Sequence, residues 1–279
     1  MNLNFTQNLH GILSGSTLLD ESSDQGCRTV EHKSALYCTY LSDSGNQIKV
    51  IAKPTASNWD FSAPATCRTS AGIPGLVSFK DTLYMFYRND RNTTTVCRYV
   101  EPLKTFVSVS ETDDSLSETP AFAVLNGVLH MFYKVQNSVN IFHKTTADLE
   151  TWNRLPLIKT DGVRTALSHL SPVAVTYQNL IHLIYGDRNA ARCYLLKSDG
   201  LNWTSRILIT DTPYAHSPGL TVHNGLLKLA FAGQDGALKQ YAYDGHSVSP
   251  AVSSTLLACS PASPSLAVQN GALVAVFSY

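Results

Sequence analysis

The sequence predicts an all-β fold, a six-bladed β-propeller with four antiparallel strands per blade and one blade closed by both chain termini. Three observations carry this expectation. A segment of one design recurs about every 46 residues, each copy holds a hairpin turn between β-rich runs, and the copies account for nearly all of the 279 residues.

Pro74, Pro120, Pro172, Pro218 and Pro264 open five copies, spaced by 46, 52, 46 and 46 residues, and CRTVEHKSALYCTY from Cys27 supplies a sixth. Six or seven residues after each start lies a turn pair, Asn126-Gly127, Asn224-Gly225 or Asn270-Gly271 in the clearest copies. Such pairs suit a two-residue hairpin that needs positive φ at both central positions. Nine residues after each start comes an apolar position (Leu36, Leu83, Leu129, Ile181, Leu227, Leu273), and the run that follows is apolar on both faces, as expected of a strand between neighbouring sheets. A third β-rich run (QIKVIA, TTVCRYV, VNIFHKT, ARCYLLK, ALKQYAY) and a fourth (FVSVSE, LPLIK, RILIT, SSTLLA) complete the unit.

Trp59, Phe106, Trp152 and Trp203 stand 31 or 32 residues from their starts and read as packing between blades. After Pro264 only two strands remain, whereas the first 26 residues offer LNFTQNL and ILSGSTLL, so the termini are expected to share a blade. The expected division is a single propeller domain over 1–279. Its repeats run over 27–73, 74–119, 120–171, 172–217, 218–263, and 264–279 plus 1–26.

The formal charge is zero with 15% charged residues, which gives nucleic acid no electrostatic foothold. No membrane span and no signal peptide are legible, so the chain as written reads as soluble and unexported, whether cytoplasmic or released without a signal sequence. The six cysteines (Cys27, Cys38, Cys67, Cys97, Cys193, Cys259) lack tight CxxC spacing and read as buried thiols, and neither cofactor nor metal is expected. The sequons at Asn4, Asn92 and Asn202 carry no weight without export.

The SP-x-LAV-x-NG-x-L pattern at Pro264, with a tryptophan later in the repeat, resembles the sialidase-like (Asp-box) propeller superfamily and bacterial and fungal propeller lectins, including the Photorhabdus type. The resemblance implies the propeller fold and, in the lectins, glycan binding. Ser198 to Trp203 and Thr146 to Trp152 resemble degenerate Asp-boxes, which in that superfamily are folding elements. A sialidase would place an arginine before Ile73-Pro74, where Gly72 stands, and Glu118 is the only acid within three residues before a blade-start proline.

Loops between second and third strands carry Asp43, Asp90, Asp187 and Asp235, which suit turns, while Arg91 and Arg188 follow two of them. Guanidinium forks pair with hydroxyls or carboxylates and stack on aromatic rings. The ligand-binding candidates are therefore Tyr87, Arg88, Asp90, Arg91, Tyr185, Asp187 and Arg188, joined by His169 and His216 ahead of two blade starts. Thr112-Asp113, Thr160-Asp161 and Thr210-Asp211 read as turns, and His130 and His182 as core residues. The expected function is a lectin with several similar shallow sites and glycan or glycoconjugate partners, with oligomerisation left open. The alternatives are a glycoside hydrolase or lyase using Glu118, His169, His216 and Arg88 at the channel mouth, and a protein-interaction or toxin-associated receptor-binding platform.

Overall fold

The structure, a computed structural model, describes residues 2–8, 17–22, 26–42, 47–54, 59–60, 71–187, 192–211, 214, 216–233, 235, 237–258 and 263–278. Each of the six expected starts opens an antiparallel hairpin. Both residues of every hairpin turn have positive φ, whether or not glycine is present: Asn126 and Gly127 at 52° and 75°, but also Lys33 and Ser34 at 48° and 63°, and Lys80 and Asp81 at 48° and 56°. The right-handed twist of the strands selects this turn, and the three copies without glycine adopt it against their intrinsic preference.

The hairpins extend outward. The Pro74 repeat forms Ala71–Phe79, Thr82–Arg88, Thr94–Val100 and Thr105–Thr112, and the Pro172 repeat forms Val173–Tyr177, Leu180–Gly186, Cys193–Ser198 and Ile207–Thr210. The Pro218 repeat forms Gly219–His223, Leu226–Ala232, Ala237–Tyr243 and Val252–Ala258. In the Pro264 repeat, Ser265–Gln269 and Ala272–Ser278 are completed by Asn2–Asn8 and Thr17–Ser22, with Leu3 opposite Ser278 and Asn8 opposite Leu273.

Two expectations need correction. The sequence calls for six four-stranded blades, but among the described residues five sheets are four-stranded. The Cys27 repeat contributes three strands, Cys27–His32, Ala35–Leu41 and Ile48–Lys53, followed by a single bridge between Ala52 and Asp60. Residues 61–70 of that repeat lie outside the described residues. The fourth strand of the Pro120 repeat is Asn153–Arg154 rather than LPLIK, after Ala121–Leu125, Val128–Tyr133 and Phe142–Thr146. Part of LPLIK instead enters a small separate hairpin, Lys159–Thr160 with Arg164–Thr165, which takes up the six residues by which this repeat exceeds its neighbours.

Packing lies between sheets. Six buried clusters each join two consecutive repeats, from Tyr37, Leu83 and Phe106 around to Cys38, Ile51, Val274 and Val276. The apolar residues nine positions after each start are fully buried, each stabilising by about 1.5–3 kcal/mol. Trp152 meets Phe86 edge-on at 6.2 Å and Trp203 meets Phe132 at 5.7 Å, so these tryptophans reach from one repeat to the one before it. Where the last repeat meets the first, Gly26 pairs with Ser263 at φ +87°, and a Cβ there would collide with the Ser263 carbonyl.

Hydrogen bonds repeat the 46-residue period across the ring. Thr119 Oγ1 donates to Ile73 O at 2.7 Å and Ser217 Oγ donates to Ser171 O at 2.7 Å. The Asp-box turns are folding elements, as expected: the Asp148 carboxylate accepts the N–H groups of Glu150 and Thr151, and that of Asp199 those of Leu201 and Asn202. A third turn of this kind, missed in the sequence because no tryptophan follows, places Asp244 Oδ1 on the N–H groups of His246 and Ser247. These backbone donors hold all three carboxyls below their usual pKa.

Candidate functional site

The sequence-derived candidates separate into two places. Tyr87 and Tyr185 sit inside inter-sheet clusters, Tyr185 tilted against Tyr194 at 5.8 Å, so both rings serve packing. Burial lowers the Arg88 pKa, Asp90 is exposed, and Arg91, 73% exposed at its side chain, pairs with Glu111. The Asp187 N–H donates to Arg192 O at 2.9 Å, while Arg188 and Asp43 lie outside the described residues. His130 Nδ1 and His143 Nε2 are hydrogen-bonded at 3.0 Å in the interior, and His182 is buried too, in keeping with core roles. The four described cysteines, Cys27, Cys38, Cys97 and Cys193, are buried.

His169, His216 and Glu118 do converge. They line a cavity of about 380 Å³ at one mouth of the central channel, together with Arg28, Thr119, Ser171 and Ser217. Residues preceding consecutive blade starts meet here because the innermost strands surround the axis. Glu118 is held on both oxygens, by Lys134 Nζ at 2.8 Å and Ser171 Oγ at 2.8 Å, and Lys134 also donates to His169 O at 3.0 Å. Burial lowers the His216 pKa. Arg88 is not among the lining residues; the guanidinium of this mouth belongs to Arg28, which the sequence reading passed over.

A separate cleft of about 470 Å³, which none of the sequence-derived candidates lines, lies between the Pro74 and Pro120 sheets, walled by Glu111, Thr112, Asp113, Asp114, Lys144, Glu150, Trp152 and Arg154. At its base Asp114 is buried and accepts from Tyr133 Oη at 2.7 Å, Arg154 Nη2 at 2.8 Å and Lys144 Nζ. Burial opposes the Asp114 charge, yet Lys144, Tyr133 and Arg154 together hold its carboxyl below the usual range. Burial likewise lowers Lys144 against the pull of Asp114, and its ammonium lies 4.6 Å from the Trp152 ring centre. The buried Trp152 Nε1 has no partner, and Arg154 is 62% exposed at its side chain, with one N–H on Asp114. This wall combines an aromatic ring, a held guanidinium fork and outward carboxylates, the groups that bind vicinal hydroxyls.

The sequence contained one signal for this cleft. Lys144 is charged within a strand whose buried positions should be apolar, facing Met131 across the ladder. Its hydrogen-bond partners, Asp114 and Thr112, lie 30 and 32 residues away along the chain, so periodicity could not supply them.

No protein-family model and no curated protein matches the chain. Solved structures do. The SapL1 lectin, in complex with alpha methyl fucoside, superposes at a TM-score of 0.64 and 15% identity, covering 88% of this chain and 85% of that one. The Aleuria aurantia lectin, described as a six-bladed beta-propeller with a novel fucose recognition mode, gives 0.62 at 12% identity, covering 89% of each chain. An alpha-L-arabinofuranosidase from Clostridium thermocellum gives 0.56 at 15%, covering 83% of this chain and 94% of that one. This chain therefore has the β-propeller fold that propeller lectins share with glycosidases. At such identities the likeness establishes the fold alone.

Proposed function

We propose that this protein is a carbohydrate-binding propeller, a lectin, built as one six-bladed domain over 1–279 in which the Cys27 sheet is the sixth blade. Glycans or glycoconjugates are its partners. The observation that carries the reading is the cleft between the Pro74 and Pro120 sheets, where the Trp152 side chain lines the wall beside the exposed Arg154 guanidinium and the carboxylates of Glu111, Asp113 and Glu150. The fucose complexes of the SapL1 and Aleuria aurantia lectins support it by their shared architecture. Within the lectins, the repeat pattern at Pro264 points toward the Photorhabdus type.

The channel mouth supports binding over hydrolysis. Among its described lining residues Glu118 is the only carboxylate, and glycoside hydrolysis ordinarily uses two. Both Glu118 oxygens are already engaged.

A glycan array with purified protein tests the reading, and the absence of any bound glycan at high protein density would overturn it. For a glycan so found, Arg154→Met should weaken binding about 10- to 100-fold in calorimetry, the loss expected for a charged hydrogen bond. The exposed end of that pair implies a stability change of less than about 1 kcal/mol. Sugar consumption abolished by Glu118→Gln would instead establish the enzyme.

A further inference from the structure

Among the described residues, the channel axis carries more positive than negative charge. Below the mouth lies a second cavity of about 100 Å³, walled by residues of the innermost strands of all six repeats: Gly75, Pro120, Pro172, Pro218, Pro264 and their neighbours. Arg28 is the one residue lining both cavities, and so marks the throat between them. Apart from Arg28, the deep cavity is walled by apolar and glycine residues and by the hydroxyls of Thr29 and Ser265, which bond each other at 2.8 Å.

The Arg28 guanidinium donates through Nη1 to Cys27 O at 2.9 Å, its single hydrogen bond among the described residues. A guanidinium has five donors, so most of its fork is unspent. Its nearest carboxylate, Glu118, directs its oxygens to Lys134 and Ser171 instead. Lys134 rather than Arg28 holds the Glu118 carboxylate, and burial lowers the Arg28 pKa while Cys27 and then Glu118 pull it back only in part. The Thr119 and Ser217 hydroxyls are committed to neighbouring carbonyls and cannot balance the charge. Arg28 is half-buried, and a partly desolvated charge with unspent donors favours a counter-charge beside it.

We propose that a small monovalent anion, a carboxylate or a halide, sits on the ring axis at the channel throat with Arg28 as its counter-charge, in a mouth that also presents His169 and His216. The deep cavity exceeds the roughly 30 Å³ of a water in liquid, leaving room for the ion and part of its hydration. The site requires no glycan and stands apart from the cleft at Trp152.

Crystals grown or soaked in sodium bromide test it: a bromine anomalous peak beside Arg28 is expected, and no peak there overturns the proposal. In solution, chloride and acetate are compared separately with gluconate, a bulkier and more strongly hydrated anion, at constant ionic strength. Chloride or acetate should raise the melting temperature saturably, and the arm that does so identifies the anion class. Arg28→Gln should weaken that dependence by at least about tenfold. An unchanged dependence in the variant overturns the assignment to Arg28, and if the variant does not fold, the bromide map of the unaltered protein decides.

Discussion

The gap between the Pro74 and Pro120 sheets and the gap between the Pro172 and Pro218 sheets occupy comparable places in the ring, yet one is open and polar and the other is filled. The first encloses about 470 Å³ around Asp114, Lys144 and Arg154. The second encloses about 10 Å³ beside Tyr214, Phe231, Lys239 and Tyr241. Tyr214 packs edge-on against Phe231 at 5.1 Å, Phe231 against Tyr241 at 5.5 Å, and the Tyr241 hydroxyl is committed to Thr210 Oγ1 at 3.1 Å. Thirteen residues after its start, one repeat has Tyr133 and the other Phe231. The Tyr133 hydroxyl anchors the buried carboxylate of Asp114, whereas Phe231 offers nothing to anchor. One scaffold thus makes an open polar cleft or a packed seam according to a few side chains.

The contrast is open to direct attack. Asp114→Ala should have the largest effect, because it leaves the Lys144 charge buried without its partner; a loss of about 3–5 kcal/mol is expected in denaturant titration. The same carboxyl sets an acid dependence. Its folded pKa is depressed, so its contribution is complete above the unfolded value of about 3.9 and disappears as the pH falls through the folded value. Acid unfolding of the unaltered protein should therefore steepen below about pH 4, and Asp114→Ala should blunt that slope.

Exchanging the aromatic pair comes next. Tyr133→Phe makes the open gap resemble the closed one and should cost about 1–3 kcal/mol by leaving Asp114 short of a donor, with glycan affinity falling in parallel. Phe231→Tyr places a hydroxyl in a seam with about 10 Å³ to spare and should also destabilise, by about 1–3 kcal/mol, without creating binding. Gain of glycan binding by Phe231→Tyr alone would break the comparison. The smallest effect belongs to a change outside both gaps: Asp81→Gly relieves a residue at φ 56° and should stabilise by about 1 kcal/mol, read as a rise in melting temperature with affinity untouched.

Much of the fold was legible, and little of the cleft. Turn chemistry and two-residue alternation act within a dozen positions, so the six hairpin starts and the buried residues nine positions later can be found by self-comparison. The Pro120 repeat shows where this fails: its extra six residues form a separate hairpin, and the fourth strand moves to Asn153–Arg154. Among the site candidates, His169, His216 and Glu118 were brought together because all stand just before blade starts, a position tied to the repeat frame. Tyr87 and Tyr185 were expected to face a ligand, but their strands are sandwiched between sheets, and both rings entered the core.

The sequence by itself determined the repeating hairpins, the two-residue turns, the inter-sheet aromatics and the pairing of the chain ends in one sheet, because each follows from backbone preference and local apolar pattern. The tertiary structure alone decided which gaps between sheets stay open and which charge faces the axis. Asp114 meets Lys144 and Arg154 from 30 and 40 residues away, and Arg28 comes to line one cavity with Glu118 and His216 only when the ring closes. Those contacts depend on the faces that neighbouring repeats turn toward one another, and no local period encodes them.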